Sequence, residues 1–358
     1  MVTPNFWKDK KVLVTGHTGF KGTWLCLLLQ ALGAEVQGLS LRVEPSSPLF
    51  TLAQLPQTLA YHGLVDIRDA RALSQAIDAA QPQVIFHLAA QSLVSTGYTD
   101  PISTFHTNVD GTLYLLESVR QTLKNPIPVV VVTSDKCYLN PEQAQSFTET
   151  DPLGGHDPYS ASKAMAEILT AAYRQSFLSA QGHLISSARA GNVIGAGDFS
   201  EHRLLPDIFR AYHQSEPLIL RYPRATRPWQ HVLDALSGYL LLVEKTTAEP
   251  TLTGAYNFGP PAEHALSVES LCQRINGYIT QQNPHRPLHW TVDPGQKPHE
   301  SQFLHIDTTK AQKQLHWQPQ LNLEETLQWT ISGYLTADAD LPDLVQQHIQ
   351  DYLGKLRS

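Results

Sequence analysis

A doubly wound α/β fold, with a parallel sheet and a smaller C-terminal substrate-binding lobe, is what this 358-residue sequence predicts, on three observations. Short apolar runs alternate through the first half with stretches whose apolar residues recur near every 3.6 positions. A glycine-rich turn joins the first such run to the first such stretch. Beyond Arg189 the pattern gives way to a loop-rich segment opened by Gly191, Gly195 and Gly197 and rich in Pro, Arg and His.

The strand-like runs are 12–15, 36–41, 84–88, 129–133 and, after a helix beginning near Tyr159, 183–190. They are almost wholly apolar, as expected of strands covered on both faces by helices. Helical spacing returns over 231–244 and a short strand over 256–258, so the chain should cross between lobes more than once. The expected division is 1–190 for the first domain with about 231–260 returning to it, 191–230 and about 261–335 for the second lobe, and 336–358 for a helical tail starting near Pro342.

Hydrophobic content of 42% with 16% charged residues fits a soluble globular protein. The net charge of -7, with scattered Lys and Arg, gives no electrostatic reason to approach nucleic acid or an anionic membrane. Residues 1–11 hold no long apolar stretch, so neither a signal peptide nor a membrane span is expected and the cytoplasm is the default. Cys26, Cys137 and Cys272 are too widely spaced for a disulfide framework, and the sixteen histidines form no HExxH pattern, so no metal site is expected.

The turn reads Gly16-His17-Thr18-Gly19-Phe20-Lys21-Gly22, between a strand and a helix. That context makes it a variant of the Rossmann dinucleotide fingerprint, where glycines let backbone N–H groups approach a pyrophosphate at a helix N-terminus. The second strand ends without the acid that would indicate NAD; Ser40 suits a ribose hydroxyl and Arg42 a 2′-phosphate, which leaves NAD and NADP open on residues alone. Asp66 and Ile67 are candidates for the adenine, with Asp66 equally suited to capping. Tyr159 and Lys163 stand at i and i+4, on one face of a helix, where an ammonium would lower the phenol pKa and make Tyr159 a general base.

These residues, with His87-Leu88-Ala89-Ala90, Asn108 and Thr133, resemble the extended short-chain dehydrogenase/reductases over nearly the whole chain. More narrowly the sequence resembles the CDP-glucose 4,6-dehydratases, through the glycine turn, Thr133-Ser134-Asp135-Lys136-Cys137-Tyr138, Arg189-Ala190-Gly191-Asn192-Val193-Ile194-Gly195 and Arg227-Pro228-Trp229-Gln230-His231-Val232. The resemblance implies NAD as cofactor, bound also by Leu88, Ala89, Ala90 and Asn108. It implies a cycle on CDP-D-glucose: oxidation at carbon 4 with Tyr159 as base, loss of water across carbons 5 and 6, and hydride return to carbon 6. A cycle that starts with oxidised cofactor and regenerates it fits NAD.

Elimination needs an acid and a base beyond Tyr159. Related dTDP-glucose dehydratases carry Asp and Glu directly after the threonine that Thr133 matches; here Ser134, Asp135 and Lys136 follow it, so Asp135 is a candidate base toward carbon 5 and Lys136 a candidate acid, with the division of the two roles left open and a loop-ordering ion pair as the alternative. A 4-epimerase would need Tyr159 and Lys163 but no such pair, and a nonenzymatic cofactor-sensing protein would need neither pair. Arg203 and Arg227 are the expected forks for the diphosphate, each alternatively an interlobe ion pair, and Asn192 the expected partner of a phosphate or sugar hydroxyl. Gln91 and Ser92 should face the glucosyl ring and His299, with Glu300, the same pocket. Family members commonly show an arginine where this chain has Ser95, a departure bearing on substrate choice. The resemblance also implies a homodimer, or a dimer of dimers, built by pairing helices across a twofold axis.

Overall fold

The computed structural model describes residues 2–43, 48–143, 145–295 and 303–356. In chain order the strands are β1 (Lys11–Thr15), β2 (Glu35–Ser40), β3 (Tyr61–Leu64), β4 (Val84–His87), β5 (Pro128–Val132), β6 (Leu184–Ala190), β7 (Asn192–Ile194), β8 (Leu218–Leu220), β9 (Thr226–His231), β10 (Ala255–Phe258), β11 (Ala265–Ser267) and β12 (Trp290–Val292). The longer helices are α1 (Phe20–Ala31), α2 (Ala70–Ala80), α3 (Gly111–Thr122), α4 (Pro158–Tyr173), α5 (Leu204–Gln214), α6 (Val232–Ala248), α7 (Val268–Gln282), α8 (Leu323–Leu335) and α9 (Leu341–Lys355).

Seven strands form one parallel sheet in the order β10-β6-β5-β4-β1-β2-β3. Successive side chains of a strand point to opposite faces, and the sheet's two apolar layers follow from that. Val12, Val14, Phe86, Val130 and Val132 meet α1, α6 and α9 on one face. Leu13, Ile85, Val129, Val131 and Ile185 meet α2 and α3 on the other. The strand order reverses between β1 and β4, so the crossover helices diverge there and leave a crevice at the carboxyl ends of the strands.

The smaller lobe holds β7, β9 and β11 in a mixed sheet and the pair β8–β12. Its core joins Phe209, Trp229, Leu271, Ile275 and Leu327 from β9, α5, α7 and α8. Two segments depart from the sequence expectation. Ala311, Leu315, Trp317 and Leu321 pack in the large lobe's core, so the stretch 261–335 is divided between the lobes. Helix α9 is no tail: Leu341, Val345 and Ile349, spaced by four on one helix face, are buried in that same core. Tyr352 fixes it further by donating to Asp234 Oδ1 (2.7 Å) and Ser237 Oγ (2.9 Å) on α6. Each such apolar side chain contributes roughly 1.5–3 kcal/mol by burial, which is ample to dock the helix.

Candidate active site

The crevice opens into a cleft of about 910 Å³ walled by both lobes. Its floor is the glycine turn. Gly16 has φ +74°, and a Cβ there would stand 2.7 Å from the Ala89 nitrogen; one on Gly22 would stand 2.1 Å from the Gly16 oxygen. Both glycines are therefore demanded by backbone packing. Gly19 differs: the nearest atom to its Cβ position is the Gly16 oxygen at 3.5 Å, so a side chain there would grow into open space. Gly19 caps α1 without a side-chain bond, and Gly19, Phe20, Lys21 and Gly22 border the cleft. First-turn amides without helical partners at the positive end of a helix fit a dinucleotide pyrophosphate.

Around the turn, Thr18 donates to the Arg42 carbonyl (2.7 Å), so the Ser40 hydroxyl is the donor to Thr18 (2.7 Å) and keeps only lone pairs for a ligand. Ser40, Arg42, Asp66, Ile67, Leu88, Ala89 and Ala90 all border the cleft. The Asp66 carboxylate is held by Arg68 (2.7 Å), whose hydrogen bonds pull its pKa below the usual range.

The chemical wall lies at the end of β5 and the start of α4. Asp157 caps α4 by accepting from the Ser160 amide (3.0 Å), and Pro158 occupies the first turn. That start sets Tyr159 and Lys163 toward the cleft, beside Thr133, Ser134, Asp135 and Lys136. The expected pKa drop of Tyr159 does not appear: burial pushes the phenol up to about 12, with a hydrogen bond from Ser134 pulling against it, Asp135 raising it and Arg203 lowering it. Lys163 is instead itself driven down to about 8 by burial, and its Nζ donates to the Val132 carbonyl (3.4 Å). Asp135 is buried; its Oδ1 accepts from Ser134 Oγ (3.0 Å) while its Oδ2 has no partner among the described residues.

The model of the GDP-mannose 4,6-dehydratase family matches residues 13–330. The chain belongs to that family. Among curated relatives, it is 42% identical over 333 residues to the CDP-glucose 4,6-dehydratase of Salmonella typhimurium, covering 91% of each chain. It is 29% identical to the dTDP-glucose 4,6-dehydratase of Xanthomonas campestris pv. campestris, covering 90% of this chain and 93% of the other. Among solved structures, epimerase Mth375 of Methanothermobacter thermautotrophicus aligns with a TM-score of 0.79 at 23% identity over 96% of both chains. The dTDP-glucose 4,6-dehydratase DesIV of Streptomyces venezuelae, with NAD bound, aligns at 0.74 and 24% identity over 90% of this chain and 96% of that one. These two likenesses are of fold.

Several expected site residues of this dehydratase-family chain are occupied otherwise. The His17 side chain turns away from the cleft beneath β2, where Gly38 leaves room for its ring; its Nε2 lies 2.7 Å from His62 Nδ1, and burial lowers its pKa to about 4. Asn108 does not border the cleft: it accepts from the Gln91 amide (2.8 Å) and donates to the Gln91 carbonyl (3.0 Å) and Ser162 Oγ (2.9 Å), so it shapes the loop after β4. The Gln91 amide is folded onto Leu93 and Thr104 (2.9 Å each) rather than offered to a sugar ring.

Arg203 donates to Asp198 (3.0 Å) and Ser92 (3.0 Å), tying the lobes together at the cleft rim. Asn192 and the buried Arg227 border the cleft from β7 and β9, with Arg227 also donating to its neighbour's carbonyl (2.9 Å). His299 and Glu300 lie outside the described residues. Among the described residues no group of three or more His, Cys, Asp or Glu is placed to hold a metal ion, and no helix is long and apolar enough to cross a membrane.

Sequence reasoning missed Glu167. It is buried one helical turn past Lys163, accepts from Thr133 Oγ1 (2.5 Å) and Ser187 Oγ (2.7 Å), and pairs with the buried Arg189 (2.7 Å). Burial works to raise its pKa, but Arg189 and the three hydrogen bonds outweigh it and hold the carboxylate below its usual range. The signal was its place four residues after Lys163. Arg221, Tyr222 and Tyr98, also on the cleft wall, carried no motif.

Proposed function

We propose that the chain converts CDP-D-glucose to CDP-4-dehydro-6-deoxy-D-glucose and water, with NAD as its resident cofactor. The observation that carries this reading is the second proton-handling pair, Asp135 and Lys136, on the cleft wall beside Tyr159 and Lys163. Epimerisation at carbon 4 has no use for that pair, whereas elimination of water cannot proceed without an acid and a base. The choice of CDP-glucose rests on the 42% identity to an enzyme of that name.

The α1 turn would hold the pyrophosphate, Ser40 and Arg42 the adenosine ribose, and Asp66, Ile67 and the 88–90 segment the rest of the dinucleotide. NAD, when bound, supplies the hydride acceptor and donor that couples carbon 4 to carbon 6. Tyr159 receives the proton of the 4-hydroxyl. Asp135 and Lys136 supply the acid and the base for water loss, and Arg203, Arg227 and Asn192 bind the diphosphate and sugar, with Ser92 beside them and His299 expected there. Lys163, near neutrality at about 8, orients cofactor and phenol. We assign the protein to the cytoplasm and to a homodimer or dimer of dimers; exposed Met165 and Ile168, one turn apart on α4, offer the apolar face for the twofold partner.

The test is incubation with CDP-glucose and NAD in deuterated water. The expected product is the 4-keto-6-deoxy sugar carrying deuterium at carbon 5. CDP-galactose without that deuterium would overturn the assignment in favour of an epimerase.

A further inference from the structure

Ser40 and Arg42 pull the end of β2 toward opposite cofactors: a hydroxyl suits the ribose of NAD, a guanidinium the 2′-phosphate of NADP. A third residue, Thr18, sets the balance between them. Thr18 is fully buried in the glycine turn, Ser40 is buried at the end of β2, and both border the cleft. Thr18 Oγ1 donates to the Arg42 carbonyl (2.7 Å) and lies 2.7 Å from Ser40 Oγ. A hydroxyl has one hydrogen and a carbonyl can only accept, so the Thr18 hydrogen belongs to Arg42. The Ser40 hydrogen therefore points to Thr18, and Ser40 turns two lone pairs to any ligand.

The backbone around the pair is fastened on both sides. The Gly16 amide donates to the Leu39 carbonyl (2.7 Å), which ties the turn to β2, and the Val65 amide donates to the Ser40 carbonyl (2.8 Å). Ser40 also stands in register with Leu64 on β3. Reversing the Ser40 hydroxyl in this frame would set two oxygens face to face at 2.7 Å with no hydrogen between them.

The two dinucleotides differ at one position. The ribose 2′-hydroxyl of NAD can donate into a lone pair of Ser40. The 2′-phosphate of NADP carries about −1.5 to −2 charges at neutral pH and only acceptor oxygens, so it meets Ser40 lone pair to lone pair. Arg42 favours that phosphate, but it is exposed, where water and salt screen its charge. A neutral oxygen held as an acceptor thus takes the part that a carboxylate plays at the end of the second strand in NAD-binding Rossmann folds.

We propose that Thr18 is the specificity-determining residue for the dinucleotide: by fixing Ser40 as an acceptor, it admits the ribose 2′-hydroxyl and rejects a 2′-phosphate. Ser40 makes the contact and Thr18 positions it. This rests on the reading that places the adenosine ribose at Ser40, and it is independent of which sugar the enzyme takes.

The test is titration of the full-length protein, freed of bound nucleotide, with NAD and with NADP in the absence of sugar, the unfolding midpoint of each variant being measured alongside. Wild type should bind NAD more tightly by about tenfold or more, the order of the penalty for a buried polar atom facing a group it cannot pair. Thr18→Val keeps the shape and removes the hydroxyl, so Ser40 can turn its hydrogen to the ligand. NADP affinity should then rise by about tenfold, with NAD affinity within about threefold of wild type, because a 2′-hydroxyl accepts as well as donates. Thr18→Ala, which sets no methyl against the Arg42 carbonyl, should give the same ratio as Thr18→Val. Ser40→Ala narrows the preference from the other side, weakening NAD by about three- to tenfold and leaving NADP little changed. Thr18→Ser, which keeps the hydroxyl, should match wild type.

A loosened turn would weaken both dinucleotides alike, so the ratio separates specificity from structure. Wild type without a preference for NAD, or Thr18→Val and Thr18→Ala ratios within about twofold of wild type, overturns the proposal and leaves the ribose placement standing. NAD affinity undiminished in Ser40→Ala overturns the placement itself, and the proposal with it.

Discussion

The floor of the cleft and its chemical wall are built on opposite principles. The glycine turn holds its shape by the absence of side chains, backbone against backbone at Gly16 and Gly22. The wall at β5 and α4 holds its shape by a buried charged network, in which Glu167 gathers Thr133, Ser187 and Arg189 behind the reacting groups. Sterics set the one and electrostatics the other, so the two should fail differently.

The largest expected effect is on the wall. Glu167→Ala leaves the Arg189 guanidinium buried without its counter-charge, and breaking a buried pair in this way costs about 3–5 kcal/mol. Chemical denaturation should register that loss directly. The pair also confers a pH dependence: a carboxylate whose folded pKa is depressed contributes stability above the ordinary carboxylate range and loses it as pH falls through the lowered value. The acid limb of the stability curve should accordingly flatten in Glu167→Gln. An unchanged acid limb would mean that the network does not hold the wall.

Next in size is Gly22→Ala. Its methyl would have to stand 2.1 Å from the Gly16 oxygen, so α1 must shift off the turn, an overpacking cost of about 1–3 kcal/mol. Cofactor affinity should fall with stability, because the same backbone forms the site. A variant that lost affinity with an unchanged unfolding midpoint would show that the turn is not set by packing.

The contrast also explains what the sequence made legible. Steric and periodic constraints leave local marks: the turn's glycines, the apolar strands β1, β4 and β5 and the helical spacing of α6 can all be read from neighbours within a few positions. The network does not. Glu167 meets Arg189 and Thr133 only because β5 and β6 are adjacent in the sheet and α4 lies across them, a pairing between distant positions. The same holds for His17, whose place in the motif suggested the cofactor, while the room left by Gly38 on the next strand turned its ring away. It holds for the Tyr159 pKa, where spacing from Lys163 gave the sign of one charge but not the cost of burial. The lobe division erred for a related reason: α9 looked like a tail until Asp234 and Ser237, over a hundred positions away, gave it a dock.

The smallest effect on stability should come from Gly19→Ala, and it separates packing from binding. The backbone of Gly19 has φ −79°, which any residue adopts, and its Cβ position meets nothing closer than 3.5 Å. Folding therefore gives no reason for glycine here, and the unfolding midpoint should move by an amount equivalent to less than about 0.5 kcal/mol. A reason remains if a pyrophosphate must approach the amides at the start of α1, since the methyl would occupy the approach. NAD affinity should then fall by about tenfold or more, equivalent to about 1.4 kcal/mol, measurable by titration of the purified protein without substrate. Undiminished affinity in a stable Gly19→Ala variant would move the phosphate site away from the turn and leave the floor of the cleft as packing alone.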